Sequence, residues 1–206
     1  TASSCDYWIG SCQWTCRRYG DSGIRDDKIF MSYYGGDTDI VKLGRRGYLR
    51  NELLLPDTVK IVGMVAYMYA PKRYLWQRRG LKGHEDLVES AAQIVAGCPR
   101  ARFLLVGDGE LRPWLEHRVK QLGLSDRFIF AGLVSPSQVS RYVGVTDVLV
   151  HLSTREGLPR ALPQALAAAK PVVAYNCDGA GEACLDGETG FLITTGDKSS
   201  LVQAIT

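Results

Sequence analysis

The stretch Ser153-Thr154-Arg155-Glu156-Gly157-Leu158-Pro159 holds residue types suited to gripping an anion or a polyol. Ser153 or Thr154 can cap a helix, Gly157 permits close backbone approach, and Pro159 fits a first helical turn. Free N–H groups at Gly157 and Leu158 would then face an anion such as a diphosphate, with the helix dipole adding to the attraction. Glu156 is out of place against phosphate alone and suits hydrogen bonds from sugar hydroxyls. A capped helix with a surface glutamate is the plain alternative. Gln164 follows two turns later on the same side of that helix. A second turn, Gly107-Asp108-Gly109, offers backbone N–H groups at a strand end. It lacks the third glycine of the dinucleotide fingerprint, where Arg112 stands. The next strand also ends without an acidic residue for a ribose, so a nicotinamide enzyme is not expected. A simple turn between strand and helix accounts for these glycines equally well. The basic run Lys72 to Arg79 reads either as a solvated loop or as one facing phosphate.

These residues need a scaffold, and the apolar pattern predicts one. From Asp57 onward, near-continuous apolar runs alternate with helical periodicity. Strands are expected at Val59 to Ala66, Arg102 to Val106, Arg127 to Ala131, Asp147 to Leu152, Pro171 to Tyr175 and Gly190 to Ile193. Helices are expected at His84 to Ala96, Glu110 to Leu122, Pro136 to Gly144 and Leu158 to Ala169, with a short one after the Gly-rich turn at Asn176 to Glu182. Buried strands alternating with helices predict an α/β fold: a Rossmann-like doubly wound parallel sheet covered on both faces. Ligands bind such sheets beyond the carboxyl ends of the strands, where the strand order reverses. The candidate residues Gly107, Asp108, Gly109, Gly132, Glu156, Gly157 and Leu158 all follow strands. Residues 1–56 differ: a strand from Asp6 to Ser11, a helix from Gln13 to Tyr19 with Ser11 as its N-cap, a strand from Lys28 to Tyr34, then a glycine-rich, charged connector to Glu52.

Composition narrows the class. The 206 residues are 46% apolar and 23% charged, and the net charge is +3. That is the profile of a water-soluble globular protein. No long basic stripe interleaved with aromatics is present, so nucleic acid is not an expected partner. No stretch reaches the roughly 18 apolar residues of a membrane span. The six cysteines show no C-x-x-C spacing and the histidines are scattered, so no metal site is expected and the cysteines read as free thiols in a reducing compartment. The chain opens without an initiator Met and closes inside a helical pattern, which suggests a fragment.

Glu156-Gly157-Leu158-Pro159, with Gln164 eight residues after Glu156, resembles the paired-acid signature of retaining GT-B glycosyltransferases of the group 1, family 4 type. Other elements resemble the same family in order: Gly63 to Ala66, Lys82-Gly83, Leu105 to Gly109, Phe130-Ala131-Gly132, Asp147 to Ser153, Lys170 to Ala174, Gly179 to Glu182 and Asp186 to Leu192. The resemblance covers about three quarters of the chain. It implies residues 57–206 as a C-terminal nucleotide-sugar-binding domain, truncated at its end. Residues 1–56 are then the tail of an acceptor domain and the interdomain connector.

The resemblance also implies roles. Lys82 binds phosphate, Glu156 orients the sugar, and Glu182 belongs to the donor site. Gly107 to Gly109 lie near the base, followed by Gly132, and the position of Gln164 holds the ribose. Gln164 departs from the family glutamate, although an amide still accepts and donates. The family arginine near the first strand has no direct counterpart, because Tyr67 stands there, and Arg79 is the substitute. The implied reaction transfers a sugar from a UDP-, GDP- or ADP-sugar with retention. No cofactor and no metal are implied. A glycan or lipid acceptor would be held by the missing domain, in a cytoplasmic protein with scope for peripheral association with the membrane's inner face. The alternatives are a GT-B-type sugar-nucleotide epimerase and a non-catalytic nucleotide-binding module. The fragment alone is expected to transfer little or no sugar.

Overall fold

The computed structural model describes residues 7–35, 46–72 and 77–206, with side chains from Leu49 onward in the second stretch. Thr1 to Asp6, Gly36 to Arg45 and Arg73 to Trp76 therefore lie outside the described residues, including Asp6 of the expected first strand and part of the basic run.

Residues 7–35 form a small βαβ unit. Strand β1 (Trp8–Gly10) and strand β2 (Ile29–Met31) pair in parallel, and helix α1 (Gln13–Asp21) crosses between them. Helix α2 (Arg46–Glu52) lies where the sequence suggested only a connector. Its Leu49, with Leu55, Val59 and Ile61, joins one of the apolar clusters of the main sheet. Arg50 is buried and ties the helix down, donating to the carbonyls of Pro56 and Val59 and to Asp147.

The main sheet has six strands, all parallel: β3 (Lys60–Val65), β4 (Ala101–Val106), β5 (Phe128–Gly132), β6 (Val148–His151), β7 (Val172–Tyr175) and β8 (Gly190–Ile193). Their spatial order is β5-β4-β3-β6-β7-β8. In chain order this is 3-2-1-4-5-6, the arrangement of the dinucleotide-binding fold, and the doubly wound expectation holds. Helices α3 (His84–Gly97), α4 (Arg112–Gln121) and α8 (Lys198–Ile205) cover one face, where Leu87, Ile94, Leu115, Val119 and Leu201 meet Val62, Met64, Phe103 and Leu105. Helices α5 (Pro136–Val145), α6 (Ala161–Ala167) and α7 (Ala180–Ala183) contribute to the other, where Val143, Leu162, Ala165 and Ala180 meet Leu149, Val172 and Ala174. Burial on both faces explains why the strands read as unbroken apolar runs.

The reversal of strand order falls between β3 and β6, whose registers pair Val62 with Val148 and Gly63 with Leu149. Gly63 is required there because a Cβ would collide with the Thr146 side chain.

Three sequence expectations are corrected. Helix α6 begins at Ala161 rather than Leu158, since Pro163 lies in its first turn and a proline ring excludes the carbonyl four residues earlier from a helical bond. Helix α4 begins at Arg112, two residues later than expected. The N-cap of α1 is Cys12, not Ser11, and its side chain makes no capping bond.

Candidate functional site

Two chain segments meet at the switch point. One leaves β3 and returns as Leu81-Lys82-Gly83 at the head of α3, and the other leaves β6 as Leu152-Ser153-Thr154. The Thr154 N–H donates to the Leu81 carbonyl at 2.9 Å. Gly83 has φ +73° and packs so closely on Leu152 that a Cβ would overlap its carbonyl. Only glycine accommodates both conditions cheaply, and this contact brings Lys82 beside the Ser153 turn.

The result is an ion pair. Lys82 Nζ lies 2.5 Å from Glu156 Oε2, and both side chains are about four-fifths buried. The Ser153 hydroxyl lies 3.0 Å from the same carboxylate oxygen. The turn after β7 braces this loop from behind. Asp178 accepts from the Glu156 N–H at 2.6 Å, Gly179 N–H donates to the Gly157 carbonyl, and the Cys177 thiol donates to the Ser153 carbonyl. Burial, together with Asp178 and Glu156, pushes the Cys177 thiol up to about 11, which keeps it protonated and unreactive. The expected Ser153 or Thr154 helix cap is replaced by an irregular turn that aims the carboxylate at Lys82. The N–H groups of Gly157 and Leu158 make no hydrogen bond among the described residues. Gln164 is half-buried in the first half of α6.

Other candidates sit elsewhere. Arg79 is paired with Asp86 at 2.8 Å and Glu89 at 2.9 Å on α3, not with the Lys82–Glu156 pair. Asp86 also accepts from the buried Tyr175 hydroxyl, and the Gly80 N–H donates to Glu85, so the loop before Lys82 is stapled to the first turn of α3. The Gly107-Asp108-Gly109 turn is crossed by the chain's own backbone. A Cβ at Gly107 would strike the Ala66 carbonyl, and one at Gly109 the Met68 carbonyl. The Gly107 N–H already donates to the Gly132 carbonyl, and the Gly109 N–H to the Asp108 side chain, which also pairs with Arg112. The close approach these glycines permit is thus intramolecular.

Glu182 caps helix α1 from 168 residues away. Its two oxygens accept from the N–H groups of Gln13 and Trp14 at 2.8 and 2.9 Å, and the Tyr33 hydroxyl adds a third bond. Burial alone would raise its carboxyl, but the bonds from Gln13, Trp14 and Tyr33, with Arg17 nearby, outweigh that and hold it below the usual range. Ser11 and Thr15 of the same unit approach Gly157, Cys12 approaches Gly179, and the Arg160 guanidinium stacks on Tyr34.

Two residues that the sequence reading passed over lie beside the ion pair. His84 and His151 are buried, and the Nε2 atom of each has no partner among the described residues. Burial pulls both imidazoles down to about 4. At His84 the Ala66 backbone opposes the fall while Lys82 and His151 add to it; at His151 Glu156 opposes it and Lys82 adds to it. Both are neutral at pH 7. Their one signal in the sequence is adjacency: each is next to a residue of the Gly83–Leu152 contact.

Among the described residues, no three His, Cys, Asp or Glu side chains gather as a metal site, and no helix is long and apolar enough to cross a membrane. Cys12, Cys16, Cys98, Cys177 and Cys184 are free thiols, and Cys5 lies outside the described residues.

A doubly wound sheet with a paired lysine and glutamate at its switch point makes an α/β domain of the kind found in GT-B proteins. The chain belongs to the family "Glycosyl transferases group 1", whose model matches residues 74–206. It is 32% identical over 117 residues to the Vi polysaccharide biosynthesis protein VipC/TviE of Salmonella typhi, covering 57% of this chain and 20% of that protein. It is also 32% identical over 128 residues to N-acetyl-alpha-D-glucosaminyl L-malate synthase of Bacillus anthracis, covering 62% and 33%. Among solved structures, Anabaena HepE in complex with UDP-glucose superposes with a TM-score of 0.82 at 26% identity, covering 97% of this chain and 53% of that one. The chain thus spans about a third or less of these curated relatives and about half of the solved protein.

Proposed function

We propose that this chain is the donor-binding, C-terminal part of a glycosyltransferase, and that it holds a nucleotide diphosphate sugar across the carboxyl ends of β3 and β6 for transfer with retained anomeric configuration. The observation that carries this reading is the Lys82–Glu156 pair at the switch point. In the free chain the two charges satisfy each other. A diphosphate offers Lys82 a stronger anion, and Glu156 is then free to accept from sugar hydroxyls. Charge developing on the departing diphosphate is met by the ammonium and by the N–H dipoles of Gly157 and Leu158. In this reading Gln164, half-buried in α6, takes the ribose. Arg79, held by Asp86 and Glu89, supports the Lys82 loop in this reading rather than touching phosphate. A glycan or lipid acceptor would be held by the other domain. The HepE complexes with UDP and UDP-glucose make uridine nucleotides the first ligands to try.

Calorimetry with UDP, GDP, ADP and their nucleosides tests the site. Lys82→Ala is expected to weaken the preferred diphosphate about ten- to a hundredfold, the worth of a charge-assisted bond, and to leave the nucleoside unchanged. Indifference of the unmodified chain to every diphosphate, or equal loss for nucleoside and diphosphate, would count against the assignment.

A further inference from the structure

Buried polar atoms are almost always hydrogen-bonded, and an orphan calls for a physical explanation. Four such side-chain atoms occur among the described residues: His84 Nε2, Glu85 Oε2, Ser90 Oγ and His151 Nε2. Three of the four belong to residues at the crevice end of the sheet, and two are imidazole nitrogens on the segments that meet through Gly83 and Leu152. His151 is the last residue of β6 and His84 the first of α3. They stand where the strand order reverses, which is where such sheets take their ligands. Both feel the charge of Lys82, and His151 also feels that of Glu156.

We propose that His151, with His84 beside it, is a binding residue for the sugar-diphosphate part of the donor: its neutral Nε2 hydrogen-bonds a ligand oxygen once Lys82 and Glu156 have parted. This rests on the donor reading above. The two nitrogens have no accessible surface, so a ligand reaches them only after a local rearrangement. The Lys82–Glu156 contact is the one a diphosphate would exchange. Exchange moves the two side chains that act electrostatically on His151, and it brings oxygen atoms into the crevice. A neutral imidazole suits this place. It carries one N–H and one lone pair, so it can donate to a phosphate oxygen or pair with a hydroxyl, without adding a second buried cation beside Lys82. The groups facing it are Lys82 from the head of α3, Glu156 from the turn after β6, and His84.

The chain has three histidines, and the third, His117, is exposed on α4. Long-range proton–nitrogen NMR of the labelled 206-residue chain therefore has a built-in control. UDP, GDP and ADP are titrated at pH 7, then the UDP-, GDP- or ADP-sugars, with calorimetry in parallel. The His151 Nε2 resonance is expected to move on saturation while that of His117 stays. Parting of Lys82 and Glu156 would itself move the signal, so the hydrogen bond is read from movement together with the variants. Movement and loss with the bare diphosphate assign a phosphate oxygen to the nitrogen, and movement and loss with the nucleotide sugar alone assign a sugar hydroxyl. His151→Leu is expected to weaken that same ligand about tenfold and leave the nucleoside unchanged, and His151→Asn, whose amide can donate, to keep most of the affinity. A clean isotherm with an unmoved His151 signal, or equal loss in both variants, would overturn the role of His151 and leave the donor reading standing. Absence of binding by every nucleotide would overturn both. An unmoved signal in the unmodified chain overturns the role even if His151→Leu fails to fold, and the comparison of His151→Asn with the unmodified chain then carries the positive test.

Discussion

Glu156 lies in the turn after β6 and Glu182 in the short helix α7 after β7; the same family resemblance covers both, yet their surroundings set them to different work. Glu156 is paired with a side chain, the Lys82 ammonium, and with the Ser153 hydroxyl. Those partners are side chains, which can turn away and be traded for a ligand. Glu182 is paired with two backbone N–H groups at the start of α1 and with the Tyr33 hydroxyl. Backbone partners at a helix start have no other acceptor to turn to, because Cys12 supplies none. The difference teaches that a carboxylate held by side chains is placed for exchange, while one held by backbone is placed for assembly. The crevice and the seam against the N-terminal unit can therefore be broken separately.

Acid should separate them most. The folded pKa of His84 and of His151 is about 4, below the ordinary 6.5, so the unfolded chain binds more protons in the window between. The stability tied to their neutrality is fully present above pH 6.5 and is lost as pH falls towards 4, by up to about 1.4 kcal/mol per unit for each group. The Glu182 carboxyl, held below its ordinary 4.5, acts in a lower window: its contribution is present above that value and is lost only as pH falls through the folded one. Urea unfolding at pH 7, 6 and 5 should show a loss of about 3–4 kcal/mol by pH 5, with the Gln13 and Trp14 amides still protected in the remaining native state. A flat profile down to pH 5 would show that the imidazoles are solvated.

Next in size is Gly83→Ala. The new methyl would meet the Leu152 carbonyl, and φ of +73° disfavours any side chain. Strain and overpacking together suggest a loss of about 2–4 kcal/mol. The Lys82–Glu156 contact should be displaced with it, so diphosphate affinity should fall too. Stability within 0.5 kcal/mol of the unmodified chain would mean that Lys82 is not placed by the Gly83–Leu152 contact.

Legibility in the sequence followed the range of the interactions. The sheet was readable because burial on both faces writes itself into each strand. The Lys82 role comes from the family resemblance and that of Glu156 from the turn after β6 together with the same resemblance, and the fold brings the two side chains into contact. The start of α6 departs from the sequence expectation because Pro163, not Pro159, fixes the boundary. For Gly107 and Gly109 the sequence leaves a ligand turn and a simple turn equally open, and the Ala66 to Met68 backbone that crosses them lies some 40 residues earlier in the chain, beyond the reach of local pattern. Helix α2 is short and sits in a polar, charged stretch, so its single buried face gave no periodic signal. His84 and His151 lie 67 residues apart, and no local pattern marks them as neighbours of one contact.

The smallest expected effect tests the seam alone. Glu182→Ala removes the acceptor for two first-turn N–H groups and a negative charge at the positive end of α1. Helix capping of this kind is worth about 0.5–2 kcal/mol, and the dipole adds a few tenths. Global stability should therefore fall by about 1 kcal/mol. Hydrogen exchange at Gln13 and Trp14 should accelerate by roughly tenfold or less, since each 1.4 kcal/mol is a factor of ten in an opening equilibrium. Glu182→Gln should fall between, because the amide oxygen can satisfy one N–H while its NH2 faces the other. Neither substitution should alter diphosphate affinity, since Glu182 bonds α1 and Tyr33 rather than the Lys82–Glu156 pair. A tenfold loss of diphosphate binding in Glu182→Ala, with the Gln13 and Trp14 amides still protected, would return Glu182 to the donor site and erase the distinction between the two carboxylates.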